Sequence, residues 1–206
     1  MRGSVGRTRE SDRLVESVIA NPSMAEFSEE SGLFLVEGWR GLRGRSRKSG
    51  PRLLFRDTAP NTVVNQGLIY KMGSALLGTT PITSWFVMLI SATPTIAVGD
   101  TYASHAGWTE ETDYDETTRE AWIGVATGTA GEASNTASRA EFTVSVGGMD
   151  IGGCAFVGGG SAPSTKGDTA GGGTLLSAAA FSGGDRSLLE SDVLRVTYIQ
   201  RSQRPA

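Results

Sequence analysis

The chain of 206 residues has one cysteine, one histidine and no apolar run longer than the six residues from Trp85 to Ile90. A single cysteine, Cys154, cannot form an internal disulfide, so the fold must rest on its core or on neighbouring subunits. Six apolar residues are too few to span a bilayer, and residues 1–20 have no apolar segment typical of a secretory signal. We therefore expect a soluble protein made in a reducing cytoplasm.

Aromatic residues are also few, at 7%, and charged residues make up only 20% of the chain, with a net charge of −3. Small residues take their place: 28 glycines, 22 serines and 21 threonines are about a third of the chain. A helical bundle would need far less glycine, and collagen would need glycine at every third position, which is not seen. The composition is typical of a turn-rich, all-β protein with long loops.

Alternating or continuous apolar segments bounded by turn residues predict about eight strands. They are Leu33–Trp39, Arg52–Asp57, Thr83–Ser91, Glu120–Gly128, Ala140–Val146, Ile151–Val157, Thr174–Phe181 and Asp192–Arg201. The first two form a hairpin with a long basic tip, and the third is the most hydrophobic and is predicted to be central. We predict an antiparallel β-sandwich of jelly-roll-like topology over residues 33–206.

One helix is predicted after the second strand, with Asn61 or Thr62 as its cap and Gly78 at its end. Its apolar residues fall on one face; they are Val64, Leu68, Met72, Ala75 and Leu76. We interpret Gly67 and Gly73 as points of close packing against a sheet. Residues 1–32 form an N-terminal arm, with a short helix predicted before Pro22, and the arm is either disordered or ordered by a partner.

Charge is unevenly distributed and suggests contact surfaces. The basic stretch contains Arg40, Arg43, Arg45, Arg47 and Lys48, and the acidic one contains Glu110, Glu111, Asp113 and Asp115. Both can be plain solvated loops, or they can make complementary contacts between copies or with a charged partner. We take these nine residues and Trp108 as candidate partner contacts. The basic stretch lacks interleaved aromatic residues, which does not favour nucleic acid.

The residue types that could carry out catalysis are few, and none has the sequence neighbours of a known catalytic motif. His105 lies in a loop of small residues without a Gly-x-Ser-x-Gly elbow, so a packing role is its default interpretation. Cys154 falls within a predicted strand, which favours a buried, inert thiol. No His or Cys cluster with the spacing of a metal site and no phosphate-binding loop is present. Asp113, Asp115 and Glu116 could supply oxygen ligands to Ca²⁺, but the order of an EF-hand loop is missing. We expect no catalytic residues, no cofactor, no metal and no enzymatic activity.

Three blocks of the sequence resemble a family of tailed-bacteriophage virion proteins. They are Asn61–Leu68, then Gly99–Glu110 with Tyr114, Thr118, Arg119 and Trp122, then Gly173–Asp185 with Asp192–Tyr198. The resemblance implies a structural component of the particle, and we favour a capsid decoration (cement) protein. It implies the major capsid protein as partner, a homo-oligomer (dimer or trimer), no membrane association, and a position on the capsid surface after synthesis in the host cytoplasm.

Three other functions stay open. The chain could be a tail fibre or tail-tip component of the same particle. It could be a receptor- or carbohydrate-binding β module that uses Trp108, Trp122 and Tyr114 as stacking surfaces. It could also be a hydrolase that uses His105 or the acidic loop, and a position of His105 beside a nucleophile would favour that hypothesis.

Overall fold

A computed structural model describes residues 29–41, 50–129, 131–160, 164–169 and 172–203. These residues form an all-β sandwich of two antiparallel sheets with one helix. The strands are β1 (Glu29–Arg40), β2 (Arg52–Pro60), β3 (Thr62–Val63), β4 (Trp85–Ser91), β5 (Glu120–Ala121), β6 (Val125–Ala126), β7 (Glu132–Ser134), β8 (Ala140–Thr143), β9 (Met149–Gly158), β10 (Thr174–Ala180), β11 (Arg186–Leu188) and β12 (Val193–Gln203), and the helix is α1 (Asn65–Leu76).

The first sheet is built around the pairing of β1 with the last strand. Its order is β2-β1-β12-β7-β6, and β8 also pairs with β12. The predicted hairpin of β1 and β2 is confirmed, with a bulge at Gly38, where a β-carbon would lie 2.3 Å from the ring of Phe55. Strand β1 begins at Glu29, four residues earlier than predicted. The rest of the predicted arm, residues 1–28, and the basic tip at 42–49 lie outside the described residues.

The second sheet has the order β3-β10-β9-β4-β5 with β11 beside β9, and its middle strands β10, β9 and β4 are buried on both faces. One face meets the first sheet across a core of Phe34, Phe142, Phe156 and Tyr198. The other face carries Met88, Ile90, Val157 and Leu175, which pack under Tyr102 and Trp108 of the segment that follows β4. Burial on two faces explains the continuous apolar sequences of β4 and β9. The segment 92–118 thus forms a third layer.

The predicted strand Glu120–Gly128 is wrong as a single element. Its first two residues pair with β4 in the second sheet, and Val125–Ala126 pair with β7 in the first. Between them the Trp122 side chain turns inward, stacks edge-on against Phe156, and donates its indole N–H to the Tyr198 carbonyl at 3.1 Å. A β-carbon at Gly124 would lie 2.0 Å from that indole. Anchoring of Trp122 in the core therefore interrupts the strand.

Helix α1 differs from its prediction in two respects. Val64 occupies the N-cap position without a side-chain cap, because Asn61 instead donates to the Tyr198 hydroxyl at 2.9 Å. The predicted apolar face, apart from Val64, points to solvent, because the two glycines lie on the buried side of the helix. The prediction of close packing is confirmed for Gly67, where a β-carbon would lie 2.3 Å from the Leu176 carbonyl oxygen of β10.

The two helix glycines allow a matched test of this packing. Gly67→Ala is expected to lower the free energy of unfolding by about 1–3 kcal/mol, because the backbone of β10 cannot yield to the added methyl group. Gly73→Ala is expected to stay within about 1 kcal/mol of the wild type, because helix propensity favours alanine. The atom it approaches is the Thr79 hydroxyl oxygen, 2.8 Å away on a rotatable side chain. Urea unfolding measures both; equal effects would contradict this account of α1.

Candidate functional site

The segment 92–118 is held on the second sheet by a stacked pair of rings. The rings of His105 and Trp108 lie 3.7 Å apart with an angle of 14° between their planes. The Trp108 indole N–H donates to Oδ2 of Asp100 at 2.9 Å, and the same oxygen accepts the Ala97 backbone N–H at 3.0 Å. Only 5% of Trp108 is exposed. The prediction that Trp108 is a partner contact therefore does not fit the structure, because its buried ring stacks on His105 and its indole N–H is already bonded to Asp100.

His105 takes part in this packing through its other atoms as well. Its Nδ1 lies 3.1 Å from the Trp108 carbonyl oxygen, and Oδ1 of Asp168 is 3.6 Å from its Nε2. Among the described residues, that Nε2 has no hydrogen-bond partner. Contact with a backbone carbonyl and a stacked ring agrees with the packing role that is the default interpretation of His105 from the sequence.

Arg119 forms a buried ion pair beneath the same segment. Its guanidinium donates to both carboxylate oxygens of Glu110 at 2.7 Å and to the Tyr102 hydroxyl at 2.8 Å. Both charged side chains are fully buried. Burial alone would lower the pKa of Arg119, but the hydrogen bonds and charge of Glu110 outweigh it and raise that pKa. Arg119 therefore stays charged at any ordinary pH.

The ion pair also holds a second loop in place. Glu110 accepts the Gly167 backbone N–H at 2.7 Å, and Arg119 donates to the Asp168 carbonyl at 3.1 Å. The Glu110 backbone N–H in turn donates to Oδ1 of Asp168 at 3.1 Å. Glu110 is thus an internal cross-link, and its predicted role as a surface contact is a misassignment. Because the Glu110 carboxylate already accepts hydrogen bonds from internal donors, it has little acceptor capacity left for a partner.

The remaining acidic candidates lie on the surface of this layer. Asp113 and Asp115 are exposed, and Glu111 is half-buried and accepts the Asp113 backbone N–H at 2.8 Å. Burial raises the pKa of Glu111. Lys166 lies next to them, where its ammonium sits 4.1 Å from the centre of the Tyr114 ring and donates to the carbonyls of Thr112 and Tyr114. These three carboxylates stay predictions as contact residues.

Of the basic candidates, the structure describes Arg40 alone. Its guanidinium donates to both carboxylate oxygens of Asp192, at 2.9 and 2.8 Å. Burial would raise the pKa of Asp192, but the bonds from Arg40 and from the Leu189 N–H outweigh it and lower that pKa. Arg40 therefore joins the end of β1 to the turn before β12. Arg43, Arg45, Arg47 and Lys48 lie outside the described residues.

Sequence reasoning missed a second basic surface, on the outer face of the first sheet. Arg56, Arg139 and Arg195 surround Glu37 in a groove of about 240 Å³. Arg56 donates twice to one Glu37 oxygen, at 2.9 and 2.6 Å, and Arg139 donates to the other at 3.2 Å. Burial raises the pKa of Glu37, but these bonds and that from Trp39 lower it overall. The residues come from separate parts of the chain, so only the strand register could have revealed the groove.

Three further observations bear on function. Within the described ranges, no group of three or more His, Cys, Asp or Glu side chains could hold a metal ion. In the same ranges, no helix is long and apolar enough to cross a membrane. Comparison with known proteins found no matching family model, no matching curated protein and no matching solved structure.

Proposed function

We propose that the chain is a structural protein of a tailed-bacteriophage particle, a decoration (cement) protein that stabilises the head by bridging major capsid subunits. The observation that carries this proposal is the set of three sequence blocks, within 61–68, 99–122 and 173–198, that resemble such proteins. In this proposal the protein is made in the host cytoplasm, sits on the capsid surface as a dimer or trimer, and needs neither cofactor nor catalysis.

The geometry supports a bridging role through the rigidity of its longest loop. The residues of the middle block, including Tyr102, Trp108 and Arg119, are the ones that fasten the segment 92–118 to the second sheet. A loop that is already ordered loses little conformational entropy when it binds a partner. Its contacts therefore contribute more to affinity than those of a loop that becomes ordered only on binding. Many such contacts per particle then add to particle stability by linkage.

The copy number of the chain in purified particles tests the proposal. We expect a quantitative gel to give hundreds of copies per particle, in a fixed ratio to the major capsid protein. A few copies per particle would instead assign the chain to the tail, as a fibre or tip component. Absence from particles purified from infected cells that produce the chain would overturn a virion role altogether. The major capsid band in the same lane serves as the internal standard.

A carbohydrate-binding role is less well supported by the geometry. It needs aromatic rings with a free face, and two of the three predicted stacking residues, Trp108 and Tyr114, are buried. Trp122 is half-buried and makes edge-on contacts with Phe156 and Tyr198. The tail-component alternative therefore ranks second, and the copy number separates it from the decoration role.

A further inference from the structure

Helix α1 carries a continuous apolar surface that faces away from the protein. Ile69 is 73% exposed, Met72 55%, Leu76 70% and Leu77, directly after the helix, 79%, and Leu68 at 40% borders them. We call these five residues the α1 face. Their exposed apolar area is on the order of 600 Å², the upper end of what a monomeric protein leaves uncovered.

The helix cannot turn to bury this face against its own sheet. Gly67 lies against the backbone of β10, where any side chain would collide with Leu176. On the same side, the Tyr70 hydroxyl accepts the Ile82 backbone N–H at 2.7 Å, and its ring packs edge-on against Trp85. Lys71 is ion-paired with Glu30 of β1. These contacts fix the rotation of the helix, so the α1 face is a fixed feature of the surface.

The charge pattern around the α1 face indicates what can cover it. Lys71 is the only charged residue from 58 to 99 in the sequence, and its charge is engaged by Glu30. A contact between two copies places the same surface on both sides, and an apolar surface without a free charge can form it without burying an unpaired charge. The α1 face is therefore suited to contact with itself.

We propose that two copies of this chain associate through the α1 face, with their α1 helices packed together across a two-fold axis. Such a contact would bury roughly twice the area of one face, ~1,200 Å², which is where specific protein interfaces begin. Residues 68, 72 and 76 recur at the spacing of a helix ridge, and the exposed Ala75 permits a close approach of the two backbones. This inference concerns the isolated protein and does not rest on the proposed role in a particle.

Sedimentation of the full chain provides the first test. We expect the wild type to sediment with twice the 21.6 kDa mass of one chain at micromolar concentrations. Ile69→Glu is expected to weaken the association by roughly 100-fold or more, because it buries a charge at the centre of the contact. Val146→Glu is the matched control: Val146 is 82% exposed in the turn after β8, and its substitution should leave the dimer unchanged.

A disulfide trap provides the second test and locates the contact. The one native cysteine, Cys154, is fully buried and burial raises the pKa of its thiol, so an added surface cysteine is the accessible one. Under mild oxidation Ala75→Cys should yield covalent dimers, and Val146→Cys should not. A monomeric wild type, a dimer unaffected by Ile69→Glu, or equal cross-linking of both cysteine variants would each overturn the proposal. Circular dichroism confirms that the variants are folded.

Discussion

Replacing Arg119 by methionine is expected to lower the free energy of unfolding by about 3–5 kcal/mol. The substitution leaves the Glu110 carboxylate fully buried without its counter-charge, while the Tyr102 hydroxyl and the Asp168 carbonyl lose a donor. A buried charge without a partner is among the most costly defects that a single substitution can create. The measurement is urea unfolding followed by tryptophan fluorescence, and the m-value shows whether the compactness of either state has changed.

A double-mutant cycle separates the charge from the packing. Glu110→Gln alone is also expected to destabilise, because Arg119 then loses the negative charge of Glu110. The pair Arg119→Met with Glu110→Gln should recover part of the loss. The control is Arg201→Met, which breaks the more exposed pair with Glu132 (2.6 Å) and should cost no more than about 1 kcal/mol. If Arg119→Met and Arg201→Met had equal effects, the buried pair would not be a main support of the segment 92–118.

The sandwich could be predicted from the sequence because its signals are local. The alternation of apolar and polar residues in β8 and the continuous apolar run of β4 each indicate which faces of the strand are buried. The break at Trp122 has no such local signal, since Val125 continues the apolar pattern. What interrupts the strand is the space in the core beside Phe156 and Tyr198, which exists only once both sheets are assembled.

The interior role of the acidic and aromatic candidates was equally hard to predict. Glu110 lies beside Glu111 in a run of carboxylates, and a charge run is usually a solvated surface. Its burial depends on Arg119, nine residues away, and on Gly167, which reaches it from another loop. Likewise, the apolar residues of α1 recur with the spacing of a buried helix face. The side of the helix that packs on β10 is instead the one with Gly67, because a residue without a side chain lets the helix approach the strand closely. Periodicity identifies an amphipathic helix but does not say which side packs inside.

Trp108→Ala is expected to lower the free energy of unfolding by about 3–5 kcal/mol, as removal of a large buried aromatic side chain does. The substitution removes the ring that stacks on His105 and the donor to Asp100, so the segment from Ala97 to Thr109 loses its anchor on the second sheet. Hydrogen exchange should show this segment opening before the sandwich does. Trp108→Phe keeps a ring but loses the N–H, and should cost less, about 1–2 kcal/mol.

The matched control is Trp39→Ala, because Trp39 is only partly buried on the outer face of the first sheet, where its indole N–H donates to Glu37 at 3.2 Å. It should cost about 1 kcal/mol, since less apolar area returns to water. This contrast bears directly on function. If Trp108→Ala abolished binding to a particle or a glycan while the unfolding free energy stayed within 1 kcal/mol of the wild type, Trp108 would be a contact residue after all. If binding and stability fall together, the loss of binding follows from the release of the segment 92–118.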